Sequence, residues 1–153
     1  MKQHVLMFHP NLALEFIAEF EQGPKGGPAL EAYLCPAGVW TIGFGHTKNV
    51  HKGDTITRQE AYDLLEKDLI RFHDDLAALV NIPVNENQFI ALLSFVFNFG
   101  LSKCRKYTLF KMINAENIEG VKTWWPKYCN PGSDYEEGLL RRRNAELALY
   151  LKK

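Results

Sequence analysis

Few side chains in this 153-residue chain combine reactive chemistry with a setting that could tune it. Glu21 is one by position. It follows the amphipathic run Leu12, Leu14, Phe16, Ile17 and Phe20 and precedes the breaker Gln22-Gly23-Pro24-Lys25-Gly26-Gly27-Pro28. A carboxyl partly withdrawn from water at a helix-to-loop junction favours its neutral form and suits proton donation. By position alone, a solvated helix-end glutamate is the commoner outcome. Between Glu31 and Thr47 the polar groups are few: Glu31, Tyr33, Cys35, Thr41, His46 and Thr47. Asp68 lies at i+3 from Leu65 and i−4 from Phe72, on the apolar face of its helix, where a carboxylate needs a partner. A cationic His46 supplies one, so a structural His46–Asp68 pair joining sheet to helix is expected.

Other candidates carry less. Of Trp124 and Trp125 at most one can face a helix core, and core packing is the expectation for it. Arg141-Arg142-Arg143 offers an anion site, although a solvated helix face is expected for at least two of the three. The odd cysteine count (Cys35, Cys104, Cys129) without close spacing excludes a disulfide framework or zinc site. Cys104 and Cys129 are expected to be reduced, half-buried thiols. No phosphate loop, dinucleotide fingerprint, metal-ligand cluster or Ser/His/Asp set occurs, so no metal and no cofactor is expected.

The elements that must position these groups follow from periodicity. Helical spacing predicts a first helix over Asn11–Phe20, with Asn11 as its cap. Tyr33, Val39, Trp40, Thr41, Ile42 and Phe44 favour strands around the turn Pro36-Ala37-Gly38, so a small hairpin or meander is expected over Glu31–Thr47. Thr57-Arg58-Gln59-Glu60 is a capping box. The stripe Ala61, Leu64, Leu65, Leu69, Phe72, Leu76 and Leu79 follows it, and Pro83 closes that helix. A helix over Asn85–Phe99 turns Phe89, Leu92, Leu93, Val96 and Phe97 inward and ends at Gly100. Shorter helices are expected over Thr108–Asn114 and Ile118–Tyr128, and a last one over Tyr135–Leu151. There are no repeats. The fold class is α+β, mostly α: one two-lobed domain over 1–153, with a sheet lobe at about 11–56, a helical lobe at about 57–153 and a ligand cleft expected between them.

Composition narrows the classes further. An apolar fraction of 46% matches an ordinary globular domain, and a net charge of zero gives no field for nucleic acid. No run is long and apolar enough for a membrane anchor. Val5-Leu6-Met7-Phe8 is too short for a signal-peptide core, so a chain made in the cytoplasm without its own export signal is expected.

One string is more specific. Glu31-Ala32-Tyr33-Leu34-Cys35-Pro36-Ala37-Gly38-Val39-Trp40-Thr41-Ile42-Gly43-Phe44-Gly45-His46-Thr47 closely resembles the active-site hairpin of the phage-type lysozymes, glycoside hydrolase family 24. Phe20-Glu21, Gly53-Asp54, Thr57 to Ala61, Gln88 to Gly100, Gly138 to Arg143 and Glu146 fall in the family's order, over roughly Leu14 to Leu151. The resemblance implies a lysozyme-like fold and a muramidase cleaving the β-1,4 bond from N-acetylmuramic acid to N-acetylglucosamine. It implies Glu21 as catalytic acid, Cys35 and Thr41 as the groups placing water, and Asn98, Tyr33 and Phe44 as substrate contacts. Five residues separate Cys35 from Thr41, as in the family, but thirteen separate Glu21 from Cys35 where the family usually has eight. Pro24 to Pro28 looks like the insertion responsible, reshaping one rim of the site. Glu31, inside that interval, is a rival acid.

Cys35 stands where many relatives have an aspartate, and an ordinary thiol is mostly neutral at pH 7. An arginine of the 141–143 run is implied to approach Glu21. Two alternatives stay open: a lytic transglycosylase, which needs one acid only, and a wall-binding protein that keeps the fold without activity. The implied partners are bacterial peptidoglycan and a membrane-permeabilising holin, the chain acting as a monomer that waits in the cytoplasm and attacks the wall after release.

Overall fold

The computed structural model describes residues 1–153. Two compact units emerge, Pro10–Arg71 and Phe72–Lys153 together with Met1–His9. In the first, a 3-10 turn over Pro10–Ala13 leads into helix α1, Leu14–Ala18. The expected single helix over Asn11–Phe20 is therefore shorter and tighter, and Asn11 lies inside the 3-10 turn instead of capping. With so few residues to propagate an α-helix, both ends take the tighter pitch, as the Phe20 N–H to Ile17 carbonyl bond (3.0 Å) shows.

Strand β1 (Ala29–Leu34) pairs antiparallel with β2 (Trp40–Gly43), Tyr33 opposite Thr41, with an irregular register between Ala29 and Tyr33. On its other edge β1 bonds the segment after the turn: Ala32 N–H donates to Asp54 O and Ile56 N–H to Leu30 O, both at 2.9 Å. The sheet thus begins two residues before the expected Glu31 and gains a short third edge. Helix α2, Arg58–Leu79, starts at the expected capping box, with Thr57 N–H donating to Glu60 Oε1 (3.0 Å) and Glu60 N–H to Thr57 Oγ1 (3.1 Å). Its face Ala61, Leu65 and Leu69 is buried.

α2 crosses from one unit into the other at Arg71/Phe72, fifteen residues beyond the lobe boundary expected at 56/57. The N-terminal residues join the second unit because Gln3 pairs with Val84, Phe8 stacks on Phe89 (5.1 Å) and His73 Nε2 lies 3.0 Å from Val5 O. Nothing in local periodicity announces such pairing across the chain. The second unit centres on α3, Glu86–Phe99, which carries the capping box of Asn85 and Gln88 and ends at Gly100 with φ +84°. Phe89, Leu92, Leu93 and Val96 are buried as expected, whereas Phe97 is half-buried against Phe72. An unexpected single turn, α4 (Leu101–Cys104), follows. Then come α5 (Thr108–Asn114), α6 (Ile118–Trp124), a 3-10 turn at Trp125–Lys127 imposed by Pro126, and α7 (Glu136–Leu151) packed along α3. Cys104 and Cys129 are free and buried rather than half-buried, and burial pushes the Cys104 thiol up to about 12.

Candidate active site

The hairpin builds most of the site. At its tip Gly38 N–H donates to Cys35 O (2.8 Å) and Cys35 N–H donates to Val39 O (3.0 Å), closing a tight turn with Gly38 at φ +78°. The Cys35 side chain lies at this turn, half-buried. Bonding from the Val39 backbone lowers the thiol pKa, aided by the backbones of Ala37 and Gly38 and the Thr41 hydroxyl, with desolvation opposing. Hydrogen bonding of this kind stabilises the anion, so the thiolate of Cys35 is favoured relative to that of an ordinary cysteine. Thr41 is buried, and its Oγ1 also lies 2.9 Å from Val39 O, so its single proton serves carbonyl or thiol in turn.

Glu21 sits at the end of the helical segment, its N–H bonded to Ile17 O at 3.1 Å. Its side chain crosses to the far end of the hairpin, over Gly45. A Cβ at Gly45 would stand 3.0 Å from Glu21 Oε2, and Gly45 holds φ +82°. Both features demand glycine: one admits the carboxylate, the other the chain reversal. Tyr33 lies within the field of both reactive groups. Burial raises its phenol pKa, followed by the charges of Cys35 and Glu21. The rival Glu31 is exposed on β1, bridged to Thr55.

The expected His46–Asp68 pair is present: Nδ1 lies 2.9 Å from Oδ2 and the other ring nitrogen 3.0 Å from Lys48 O. Each ring nitrogen thus faces an oxygen acceptor. Asp68, 5% exposed, also accepts from Arg71 at 3.0 Å, and so locks the chain after β2 onto α2.

Two expectations need correction. Phe44 is 3% exposed and lies edge-on to Tyr62 at 4.8 Å, a packing position that offers no face to a sugar. Nor do at least two of Arg141, Arg142 and Arg143 face solvent: Arg142 and Arg143 are buried in the second unit, drawn in by the fully buried Glu146. Glu146 Oε2 accepts from Ser94 Oγ (2.5 Å), the Arg143 guanidinium (3.0 Å) and Arg142 Nε (3.4 Å), and Oε1 accepts from Trp125 Nε1 (3.2 Å). Arg143 Nε approaches Oε1 to 2.7 Å without pointing its N–H at it, an ionic contact rather than a directed bond. Burial lowers the Arg143 pKa, with Glu146 opposing. The alternation of i+3 and i+4 charges around Glu146 was the available signal for this network. Trp125 is the core tryptophan, while Trp124 stays half-buried beneath Lys127 Nζ at 4.8 Å. Asn98 lies in the second unit near the end of α3, its Oδ1 buried without a hydrogen-bond partner.

Comparison with known proteins bears on the family and the fold. The phage lysozyme family profile matches residues 24–146, which includes Cys35, Thr41, His46, Asp68 and Asn98 but not Glu21. An endolysin of Acyrthosiphon pisum secondary endosymbiont phage 1 is 35% identical over 128 residues, covering 81% of this chain and 88% of that protein. The endolysin from Escherichia coli O157:H7 phage FAHEc1 superposes with a TM-score of 0.83 at 29% identity, covering 99% and 97% of the two chains. The muramidase domain of SpmX from Asticaccaulis excentricus superposes at 0.81 with 30% identity, covering 92% and 95%. The chain belongs to the phage lysozyme family and is a glycoside hydrolase of bacterial peptidoglycan.

Proposed function

We propose that the chain cleaves the glycan strand by inversion, with Glu21 as general acid and Cys35 thiolate and Thr41 holding the attacking water. Glu21 would give its proton to the glycosidic oxygen as the bond to the muramic acid C1 breaks. Water, held by Thr41 and the thiolate, adds to C1 from the opposite face and gives its proton to that thiolate, leaving a new reducing end. The thiolate charge also stabilises the oxocarbenium ion that develops. The observation that carries this reading is the placement of Glu21 Oε2 over Gly45, on the same hairpin that holds Cys35 at its turn and Thr41 on β2. Tyr33 and Asn98 would contact substrate.

A lytic transglycosylase is the second reading, favoured by the absence of a carboxylate at position 35. Mass spectrometry of digested peptidoglycan separates the two. Reducing muramic acid ends are expected, and anhydro-muramic ends would overturn the hydrolytic mechanism.

The relatives' designation as endolysins supports a lysin acting on the wall from within the cell; in this reading it works as a monomer once a holin opens the inner membrane. No helix of the protein is long and apolar enough to cross a membrane itself.

A further inference from the structure

A cavity of about 740 Å³ opens in the second unit, between the N-terminal segment, the start of α3 and the end of α7. Its size is that of small-ligand sites. At about 1.5 Å per residue, α3 carries Asn98 about 16 Å away from Asn87 in the lining, so the cavity is remote from the substrate contact proposed there. Its walls are tied down. Gln3 N–H donates to Val84 O and Val84 N–H to Gln3 O, both at 2.8 Å, and Phe8 stacks on Phe89 at 5.1 Å. On the α3 side Asn85 N–H donates to Gln88 Oε1 (2.9 Å) and Gln88 N–H to Asn85 Oδ1 (2.8 Å).

Two kinds of surface meet in this cavity. Lys2, Lys152 and Lys153 are exposed in the lining, where Glu86 is the only acidic side chain. Glu116 acts on Tyr150 from outside the lining, and Glu119, next to Ile118, is engaged by Lys122 at 3.6 Å. Cations thus gather here in a chain whose net charge is zero. Beside them stand Met1, Ile118 and Leu151, exposed apolar side chains of the same lining. Leu6 and Met7, exposed in the 3-10 turn just before Phe8, add to them.

Exposed apolar side chains ringed by lysines mark a contact surface, and the combination is complementary to an anionic lipid headgroup. The lysines meet its phosphate, while the apolar side chains reach its glycerol and first methylenes. An inorganic anion would leave the apolar side chains unused. A nucleic acid would call for open stacking faces, and Tyr150 is only 3% exposed.

We propose that this cavity and its apolar rim dock the protein on an anionic phospholipid surface, with Lys2, Lys152 and Lys153 on the headgroup phosphate. The association is peripheral, since no helix is long and apolar enough to cross a membrane. It stands apart from the hydrolytic mechanism, which uses none of these residues.

The test is co-sedimentation with vesicles of phosphatidylcholine, alone or mixed with about a quarter phosphatidylglycerol. Wild type should bind the mixed vesicles and not the neutral ones. Each lysine near an anionic surface strengthens binding about fivefold, so the triple variant Lys2→Gln, Lys152→Gln, Lys153→Gln should bind about a hundredfold more weakly. A second triple variant, Lys103→Gln, Arg105→Gln, Lys106→Gln, removes exposed cations outside the cavity and should bind like wild type. Short-chain phosphatidylglycerol, added below its micellar concentration to ¹⁵N-labelled wild type, should shift amides within 1–8, 85–88 and 150–153. Inorganic phosphate at the same concentration should not. Equal binding to both kinds of vesicle, equal loss in the two triple variants, or lipid-induced shifts lying elsewhere would overturn the assignment. Equal shifts from inorganic phosphate would overturn it too, because the cavity would then be a site for free anions.

Discussion

Cys35 carries the least familiar chemistry of the site. A thiol of ordinary acidity would leave the side proposed to hold water neutral near pH 7, but the Val39, Ala37 and Gly38 backbones and Thr41 draw its pKa down. The sign follows directly: the depressed pKa makes the thiolate present above it and lost as pH falls through it. Activity should therefore decline on the acid side as Cys35 takes up a proton. Cys35→Asp should move that acid limb to lower pH, because an ordinary aspartate titrates near 3.9, well below any thiol that is only modestly shifted. A pH–rate profile on purified peptidoglycan checks this, and coincident acid limbs would show that Cys35 does not set it. The resemblance pointed to Glu21, Cys35 and Thr41 through their order and the five residues between Cys35 and Thr41, while the longer interval after Glu21 departs from the family's spacing. What lowers the Cys35 pKa was not legible there, since it depends on backbone groups of the turn that residues of many types could supply.

At the scale of elements, the hairpin holds Cys35 at its tip and receives Glu21 beside Gly45. Gly45→Ala tests this placement. The new methyl would stand 3.0 Å from Glu21 Oε2 at a φ of +82°. Such a left-handed position costs an alanine about 1–2 kcal/mol, and displacing the acid should lower kcat about tenfold or more. Thermal melts together with steady-state rates report both effects; wild-type rates in this variant would show that the acid acts from elsewhere. The capping boxes at Thr57 and Asn85 could be foreseen because they are local bonds between neighbours in sequence. The α1 segment was misjudged for the converse reason: its apolar spacing is helical, but too few residues propagate for an α-helix to hold its ends. The burial of Phe44 was equally hidden, because a strand pattern does not say which aromatic residue of a distant helix, here Tyr62, will cover which face.

For the molecule as a whole, the second unit is organised by a charge that sequence patterning places on the surface. Glu146, flanked by two arginines and met by Ser94 and Trp125, is a fully buried acid with both carboxylate oxygens engaged. Arg143 also lies 4.9 Å from the Phe95 ring centroid and 4.6 Å from that of Phe99. Glu146→Gln removes the carboxylate that both guanidiniums share, so unfolding stability should fall by about 3–5 kcal/mol, measured by urea denaturation. A loss below about 1 kcal/mol would show that water or other groups compensate. The joining of Met1–His9 to this unit likewise rests on pairing of residues far apart in sequence, such as Gln3 with Val84, which no local pattern can report.

The central claim is that Glu21 delivers the proton that breaks the glycosidic bond. The most direct measurement is the rate of release of reducing ends from purified peptidoglycan by Glu21→Gln beside wild type, with thermal melts of both. Loss of the general acid should lower kcat by a factor of about 10² to 10⁴ at a similar melting temperature. A Glu21→Gln enzyme that cuts within a factor of about ten of wild type, by that same scale, would contradict it.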